Sequence, residues 1–297
     1  MSRFSMQQVR ATYKVRDSWW TVLLVDPVAG RLVRVAAGRA WITPNRLTIT
    51  AFLLGMGSAA AFLTGQPGWL IVGALLYHVG FTIDCIDGKL ARLTGSGSVF
   101  GGWLDFFLDR IRVMICVIAL FAGQFLQTDN AGFLFAAIAV VFLALFGYVN
   151  GAETDKARAS LARRAGDPVD DEALLDTAAG PAGGLAGQVR RWLHQRRIRF
   201  NLVSGIEFEM AVLVVAPLVV AATAPAGLFW VTGVAGLALV AFEAALIARF
   251  WLAARRADAE PTDQPPAPAP VGRQPTAPDE DAAAGHASTR PSGPIMS

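Results

Sequence analysis

An all-α integral membrane protein, a bundle of six transmembrane helices, is the fold class this sequence predicts, on three observations. Of the 297 residues, 54% are hydrophobic and only 16% charged, against about 25% charged in an ordinary soluble domain, and the mean hydropathy is +0.45. Between Arg46 and Asp84 there is no Asp, Glu, Lys or Arg at all, a stretch long enough for two crossings at about 20 residues each. Basic residues gather in alternate connections between the apolar runs, which is how membrane proteins set their orientation. A soluble enzyme is excluded.

Residues 1–46 read as a cytoplasmic N-terminal segment. Met1 to Arg16 is polar and the apolar run Ser18 to Val25 is too short to span, so insertion is expected to rely on internal segments. From Asp17 to Trp41 the sequence alternates Trp19, Trp20, Leu23 and Leu24 with Arg31, Arg34 and Arg39, the pattern of an amphipathic helix lying on the membrane surface.

Residues 47–255 carry the six spans. The first two, Leu47 to Thr64 and Trp69 to Ile83, are separated by the turn Gly65, Gln66, Pro67, Gly68; the second runs on into the polar extension Asp84 to Leu93. After Gly95, Ser96 and Gly97 a third helix is predicted to start near Phe100 and to hold Asp105, Asp109 and Arg110 in its first turns. Ala131 to Ala152, Ile206 to Ala224 and Leu228 to about Trp251 complete the set. Arg31, Arg34, Arg39 and Arg46 precede the first span, Lys89 and Arg92 follow the second, and basic residues from Lys156 to Arg199 fill the fourth connection, whereas the opposite connections hold no Lys or Arg. Both termini are therefore expected in the cytoplasm, with residues 153–205 as a cytoplasmic insertion.

Residues 256–297 read as a disordered tail, because nine of the 16 prolines lie beyond Ala257 with almost no large apolar residue. From Ala257 to Ser297 there are six acidic residues against Arg273 and Arg290, so the membrane part is distinctly basic. That excess suits anionic lipid headgroups or phosphate-bearing substrates, and nucleic acid is not an expected partner. Cys85 and Cys116 lie inside apolar segments and offer neither a disulfide framework nor a thiolate metal site.

The chemistry is concentrated in Asp84, Asp87, Gly88, Ala91, Arg92, Gly101, Asp105 and Asp109, which form D-x2-D-G-x2-A-R-x8-G-x3-D-x3-D. At average residue usage, eight such positions coincide by chance on the order of 10⁻¹⁰ per starting point. Asp84 and Asp87 are three apart and Asp105 and Asp109 four apart, so each pair projects from one face of its helix. Opposed, the two faces make a cage of four carboxylates that stays ionised only if cations neutralise it. Hard oxygen ligands without His or Cys point to magnesium, with manganese or calcium as alternatives, and four carboxylates suggest two ions. Such a site suits phosphoryl chemistry, because the ions bridge phosphate oxygens and align attacker and leaving group. Pyrophosphate-linked donors fit best. Gly88 and Gly101 let backbone approach a phosphate closely, Ala91 is small enough to admit a ligand, and Arg92 offers a fork to phosphate oxygens.

The pattern closely resembles the signature of the CDP-alcohol phosphotransferase family, matching at every position from Asp84 to Asp109. A looser likeness runs from Ile42, Thr43, Pro44 and Asn45 to the sixth span and leaves out the N-terminal extension and the tail. The resemblance implies a homodimeric six-helix membrane enzyme that transfers a phospho-alcohol from a CDP-linked donor to an acceptor hydroxyl and releases CMP. It implies further that Asp84, Asp87 and Asp105 hold the metals, that Asp109 is both a metal contact and the base that deprotonates the acceptor, and that Gly88, Ala91, Arg92 and Gly101 face the CDP moiety together with Asp84.

Substrate identity is read more coarsely. Lys156 and Arg158 after the fourth span, with Arg196, Arg197 and Arg199 before the fifth, stand where an acceptor phosphate would dock; Lys156, Arg158 and Arg199 are the candidates. CDP-diacylglycerol is the leading donor, which places the chain in phospholipid synthesis. A soluble CDP-polyol, such as CDP-inositol, with a polyol-phosphate acceptor is the alternative, and a divalent-cation transporter is the remote one. Glu207, Glu209 and Glu243 lie within apolar spans and need partners, for which Arg199 or Arg249 is expected. His78 reads as a helix-contact residue, and His194 and His286 as solvated.

Overall fold

The computed structural model describes residues 4–165, 185–199 and 203–259. Among them the chain is helical, and the only β pairing is an isolated bridge between Asp17 and Ile198. The helices are α1 (Met6–Ala11), α2 (Asp26–Ala36), α3 (Pro44–Leu63), α4 (Pro67–Thr94), α5 (Val99–Thr128), α6 (Gly132–Ala165), α7 (Leu185–Gln195), α8 (Gly205–Ala222) and α9 (Gly227–Ala259). Residues 166–184 of the insertion and 260–297 of the tail, His286 included, lie outside the described residues.

Local chemistry sets the boundaries that matter for the site. Thr43 caps α3 by accepting the Arg46 amide, with Pro44 at the first helical position, where its missing N–H costs nothing. Gly95 ends α4 at φ 64°, a left-handed conformation that glycine adopts without penalty. Three residues on, the Ser98 hydroxyl accepts the Gly101 amide at 2.9 Å and starts α5. The polar extension Asp84 to Leu93 is thus the last part of one continuous 28-residue helix, roughly 42 Å long at the usual rise.

Two π-turns interrupt the helices, Thr21–Val25 before α2 and Ala211–Val215 within α8. Each precedes a proline by two residues, Pro27 and Pro217. Proline lacks an N–H and its ring crowds the carbonyl four residues back, and the wider turn accommodates both.

Helix α3 packs against α4 and α5, α8 against α4 and α5, and α6 against α5 and α8. Small residues permit the close approach, as membrane helices require. A Cβ on Gly73 of α4 would lie 2.5 Å from the Phe62 ring, and one on Gly123 of α5 would lie 2.2 Å from the Phe62 carbonyl oxygen. Helix α9 docks on α6 through the stacked rings of Phe133 and Phe229, 4.4 Å apart, and through Asn150, which donates to Glu243 at 2.6 Å. Helices α1 and α2 lie against α4.

Among the described residues, five helices are long and apolar enough to cross a membrane: α3, α4, the Gly132–Ala157 part of α6, α8, and the Gly227–Arg255 part of α9. Six spans were expected. The helix of the expected third span, α5, is not one of the five; Asp105, Asp109, Arg110 and Arg112 occupy its first half, and much of its second half is buried. The amphipathic stretch expected over Asp17 to Trp41 is helical to Ala36. It turns Ala29, Gly30, Val33 and Ala36 inward and leaves Val28, Leu32 and Val35 exposed.

Candidate functional site: a carboxylate cluster between α4 and α5

The four motif aspartates do not form one equivalent set. Asp84 and Asp87 on α4 and Asp105 on α5 each present one carboxylate oxygen to a common point, the three atoms lying within 4.8 Å of one another. Asp87 is held from the third helix: the Thr48 hydroxyl on α3 donates to its Oδ2 at 2.6 Å. Oδ1 of Asp105 is buried without a hydrogen-bond partner. A buried oxygen left unpaired is costly, and a cation shared with Asp84 and Asp87 is the partner this place fits. The donor set, all carboxylate oxygen, suits a hard divalent ion.

Asp109 sits beside that cluster in a cradle of guanidinium groups. Arg110 donates to its Oδ2 and Arg112 to its Oδ1. Arg112 also reaches Oδ1 of Asp84 at 3.4 Å, so one side chain bridges α5 and α4. It is 1% exposed, and its room is made by α3, where a Cβ on Gly55 would fall 2.3 Å from its Cγ. The Arg112 guanidinium lies 5.6 Å from the Tyr77 ring centroid, and Tyr77 donates to Glu209 of α8 at 2.6 Å. Four helices therefore converge on this polar network.

The remaining motif residues surround the cluster. Gly88 and Ala91 continue the Asp84 face at helical spacing. A Cβ on Gly88 would meet only the Arg92 guanidinium, at 3.6 Å. Arg92 is exposed and donates from Nε to the Thr12 carbonyl at 2.8 Å, which ties the N-terminal segment to the motif. Gly101 packs against Asn45 and Ser98, whose oxygens would each lie 2.9 Å from a Cβ placed there. Those two residues, with Thr43, Thr94 and Ser96, line a cavity of about 480 Å³.

On the other side of Asp109, a cavity of about 460 Å³ opens between α5, α6, α8 and α9. Arg110, Tyr148, Asp155, Arg199, Ser204 and Glu209 are its polar lining, and the Arg110 guanidinium stacks 4.4 Å from the Tyr148 ring centroid. Of the acceptor candidates whose side chains are described, Arg199 belongs to it and Lys156 does not. Lys156 is 71% exposed and pairs with Glu153 at 2.7 Å. Arg158 stands on α6, but its side chain lies outside the described residues.

Residues 41–169 match the family described as CDP-alcohol phosphatidyltransferase, a range that holds the whole carboxylate motif. Over those residues the chain is similar to the CDP-alcohol phosphatidyltransferase family. It is 35% identical over 99 residues to the archaetidylinositol phosphate synthase of Methanothermobacter thermautotrophicus, covering 33% of this chain and 49% of that one. It is 37% identical over 89 residues to the phosphatidylinositol phosphate synthase of Corynebacterium glutamicum, covering 30% and 37%. The chain thus spans about half the length or less of these curated relatives. A solved structure of Mycobacterium tuberculosis phosphatidylinositol phosphate synthase with CDP-DAG bound aligns over 77% of this chain and 94% of its own, at 21% identity and a TM-score of 0.44.

Within the matched residues 41–169, sequence reasoning missed the groups that hold the aspartates. Arg112, Tyr77, Thr48 and Gly55 lie outside the motif. Arg112 did leave a signal, since an arginine beside the apolar run Val113 to Phe121 needs a reason to be there. The glutamates are corrected. Arginine partners were expected, but Glu209 accepts from Tyr77, Glu243 from Asn150, and Glu207 from the Ser204 backbone and hydroxyl in a capping box. The hydrogen bonds to these carboxylates thus come from neutral donors and a helix N-terminus, although Oε1 of Glu207 is buried without a hydrogen-bond partner.

The N-terminal segment is bound by charge rather than only by apolar packing. Lys89 of α4 pairs with Asp26 at 3.1 Å, and Arg197 pairs with the same carboxylate at 3.2 Å. The Tyr13 ring lies beneath both cations, and burial, reinforced by Asp26, holds its phenol above the usual value. As expected, His78 is a helix-contact residue, edge-on to Trp20 at 5.9 Å. Cys116 is buried and donates to the Gly55 carbonyl at 3.2 Å.

Proposed function

We propose that this protein is a membrane transferase that moves a phospho-alcohol from a CDP-linked donor to an acceptor hydroxyl and releases CMP. The observation that carries the reading is the convergence of Asp84, Asp87 and Asp105 on one point, with Asp109 and an arginine-lined cavity beside it. Asp84, Asp87 and Asp105 would hold a divalent cation, magnesium in the cell with manganese as a substitute. Once bound, that cation supplies charge neutralisation at the pyrophosphate and fixes its orientation. Relatives are named archaetidylinositol phosphate synthase and phosphatidylinositol phosphate synthase, which favours inositol phosphate as acceptor and a CDP-linked lipid, CDP-diacylglycerol first, as donor.

In this reading the acceptor oxygen bonds to the β-phosphorus of the donor. The bond from that phosphorus to the bridging oxygen breaks, and the bridging oxygen leaves with CMP. The acceptor proton passes to Asp109, whose oxygens each keep a lone pair beyond the one used by a guanidinium. Arg110 and Arg199 would receive the acceptor phosphate as forked donors. Gly88, Ala91, Arg92 and Gly101 would face the CDP moiety, with the hydroxyls of Thr94, Ser96 and Ser98 available to the nucleoside. Both termini and the site are assigned to the cytoplasmic side, α2 to the membrane surface through Val28, Leu32 and Val35, and the working unit to a homodimer.

The test is CMP release by the purified full chain with magnesium and CDP-diacylglycerol, offering inositol phosphate, glycerol phosphate and serine separately. Turnover that stops on chelation with EDTA and returns with magnesium supports the reading, and unchanged turnover after thorough chelation removes the metal from it. Silence with all three acceptors in a preparation that binds CDP would move the donor to a soluble CDP-polyol, which a water-soluble labelled product would establish.

A further inference from the structure

Arg197 and Arg199 are two residues apart in sequence, yet their side chains are used in different places. Arg199 lines the cavity proposed for the acceptor. Arg197 reaches the N-terminal segment instead, donating to the Lys14 carbonyl from Nε at 3.2 Å and from Nη2 at 2.6 Å. Its Nη1 pairs with Asp26 at 3.2 Å, and its guanidinium lies 4.8 Å from the Tyr13 ring centroid. Every nitrogen of that guanidinium therefore has a partner.

The backbone at the same residue needs holding. Arg197 has φ 61°, a left-handed conformation uncommon outside glycine, and such a residue persists only where its surroundings fix it. Asp17 laces the chain on both sides of this turn: its amide donates to the Arg197 carbonyl at 2.9 Å, and its carbonyl accepts the Arg199 amide at 3.0 Å. Ile198 between them is buried. The N-terminal stretch is tied at its other end to α4, where Arg92 donates to the Thr12 carbonyl and Lys89 shares Asp26 with Arg197. Thr12 to Asp17 is thus a strap between the helix that carries the first two motif aspartates and the backbone of Arg199. Both the strap and Arg197 lie outside the residues that match the family.

From this geometry we infer that Arg197 is a positioning residue for the acceptor site: by locking its left-handed turn onto the N-terminal strap, it sets where Arg199 enters the cavity. A phosphorylated acceptor is the ligand this controls, because a forked contact to phosphate depends on the orientation of the guanidinium. The inference rests on the acceptor reading above, and a double-mutant cycle separates the two.

The full chain in detergent is assayed with magnesium, CDP-diacylglycerol and inositol phosphate. Glycine adopts φ 61° freely, so Arg197→Gly keeps the turn accessible and removes the clamp. It should raise the KM for inositol phosphate on the order of 10-fold, the scale of one weakened charged hydrogen bond, with kcat and the donor KM unchanged. Added to Arg199→Gln it should have no further effect, because it acts through that residue. If Arg199→Gln raises the KM for inositol phosphate, then an unchanged KM in Arg197→Gly, a fall in its kcat alone, or additive effects in the double variant would overturn the inference and leave the acceptor reading intact. An unchanged KM in Arg199→Gln, or a wild type that does not turn over inositol phosphate, would overturn both. Should Arg197→Gly fail to fold, Arg197→Lys keeps the charge toward Asp26 without the fork to Lys14; it should raise the same KM, and wild-type kinetics from it count against the proposal.

Discussion

Thr48 and Asp87, 39 residues apart in sequence, are joined by a 2.6 Å hydrogen bond that fixes the rotamer of the carboxylate from the neighbouring helix. Asp87 also presents one carboxylate oxygen to the point it shares with Asp84 and Asp105. Groups that orient a metal ligand in this way change affinity by roughly 10- to 100-fold when removed. Thr48→Val should weaken Mn2+ binding by about that factor with little change in fold, and Thr48→Ser should restore it. Mn2+ titration of the three proteins is the measurement, and equal affinities would show that Asp87 needs no such support.

Asp109 stands beside the three converging carboxylates and is the base of the proposed reaction. Because it sits beside the cluster rather than in it, Asp109→Asn should keep nucleotide binding and metal content. Turnover should fall by about 10²- to 10⁴-fold, the usual contribution of a positioned base. Parallel measurements of CDP binding and CMP release decide this. Loss of CDP binding with unchanged turnover of bound donor would contradict the assignment.

The cavity proposed for the acceptor separates two cations that the sequence treats alike. Arg199 lines it, so Arg199→Gln should raise the acceptor KM while the donor KM stays where it was. Lys156 is exposed and paired with Glu153, so Lys156→Gln should change neither. Steady-state kinetics with each substrate varied in turn would check both, and equal effects from the two substitutions would place the acceptor elsewhere.

Gly123 tests the packing that brings α3 and α5 together. A Cβ there would sit 2.2 Å from the Phe62 backbone oxygen and 3.0 Å from the Gly65 amide, so backbone rather than a flexible side chain must move. Gly123→Ala should cost about 1–3 kcal/mol, as overpacking usually does, and lower Tm in detergent. An unchanged Tm would mean that the two helices separate freely at this crossing.

The helices were legible in the sequence because their limits are local. Charge-free runs, Pro44 and Pro67 at helix starts, and the Gly95 to Ser98 break each act within a few residues, and the observed boundaries of α3, α4 and α5 follow them closely. The length of α6, which continues to Ala165 past the expected end at Ala152, was less legible, since nothing in Glu153 to Ala165 breaks a helix. The carboxylate pairs were visible for the same local reason: three- and four-residue spacings put side chains on one face whatever the helix packs against.

How the four carboxylates share out their roles was not written in any such spacing. Tyr77 meets Glu209 across 132 residues and Arg112 meets Asp84 across 28, and neither pairing has a periodic signature. The motif residues Asp84, Asp87, Asp105 and Asp109 are alike as letters, and periodicity alone suggests one symmetric cage. What distinguishes them is which neighbours reach them once α3 has packed close enough, through Gly55 and Gly123, for Thr48 to find Asp87 and for Arg112 to fit beneath Asp109. Periodicity acts along one helix and survives in the sequence, whereas charge pairing acts through space and exists only after the helices have met.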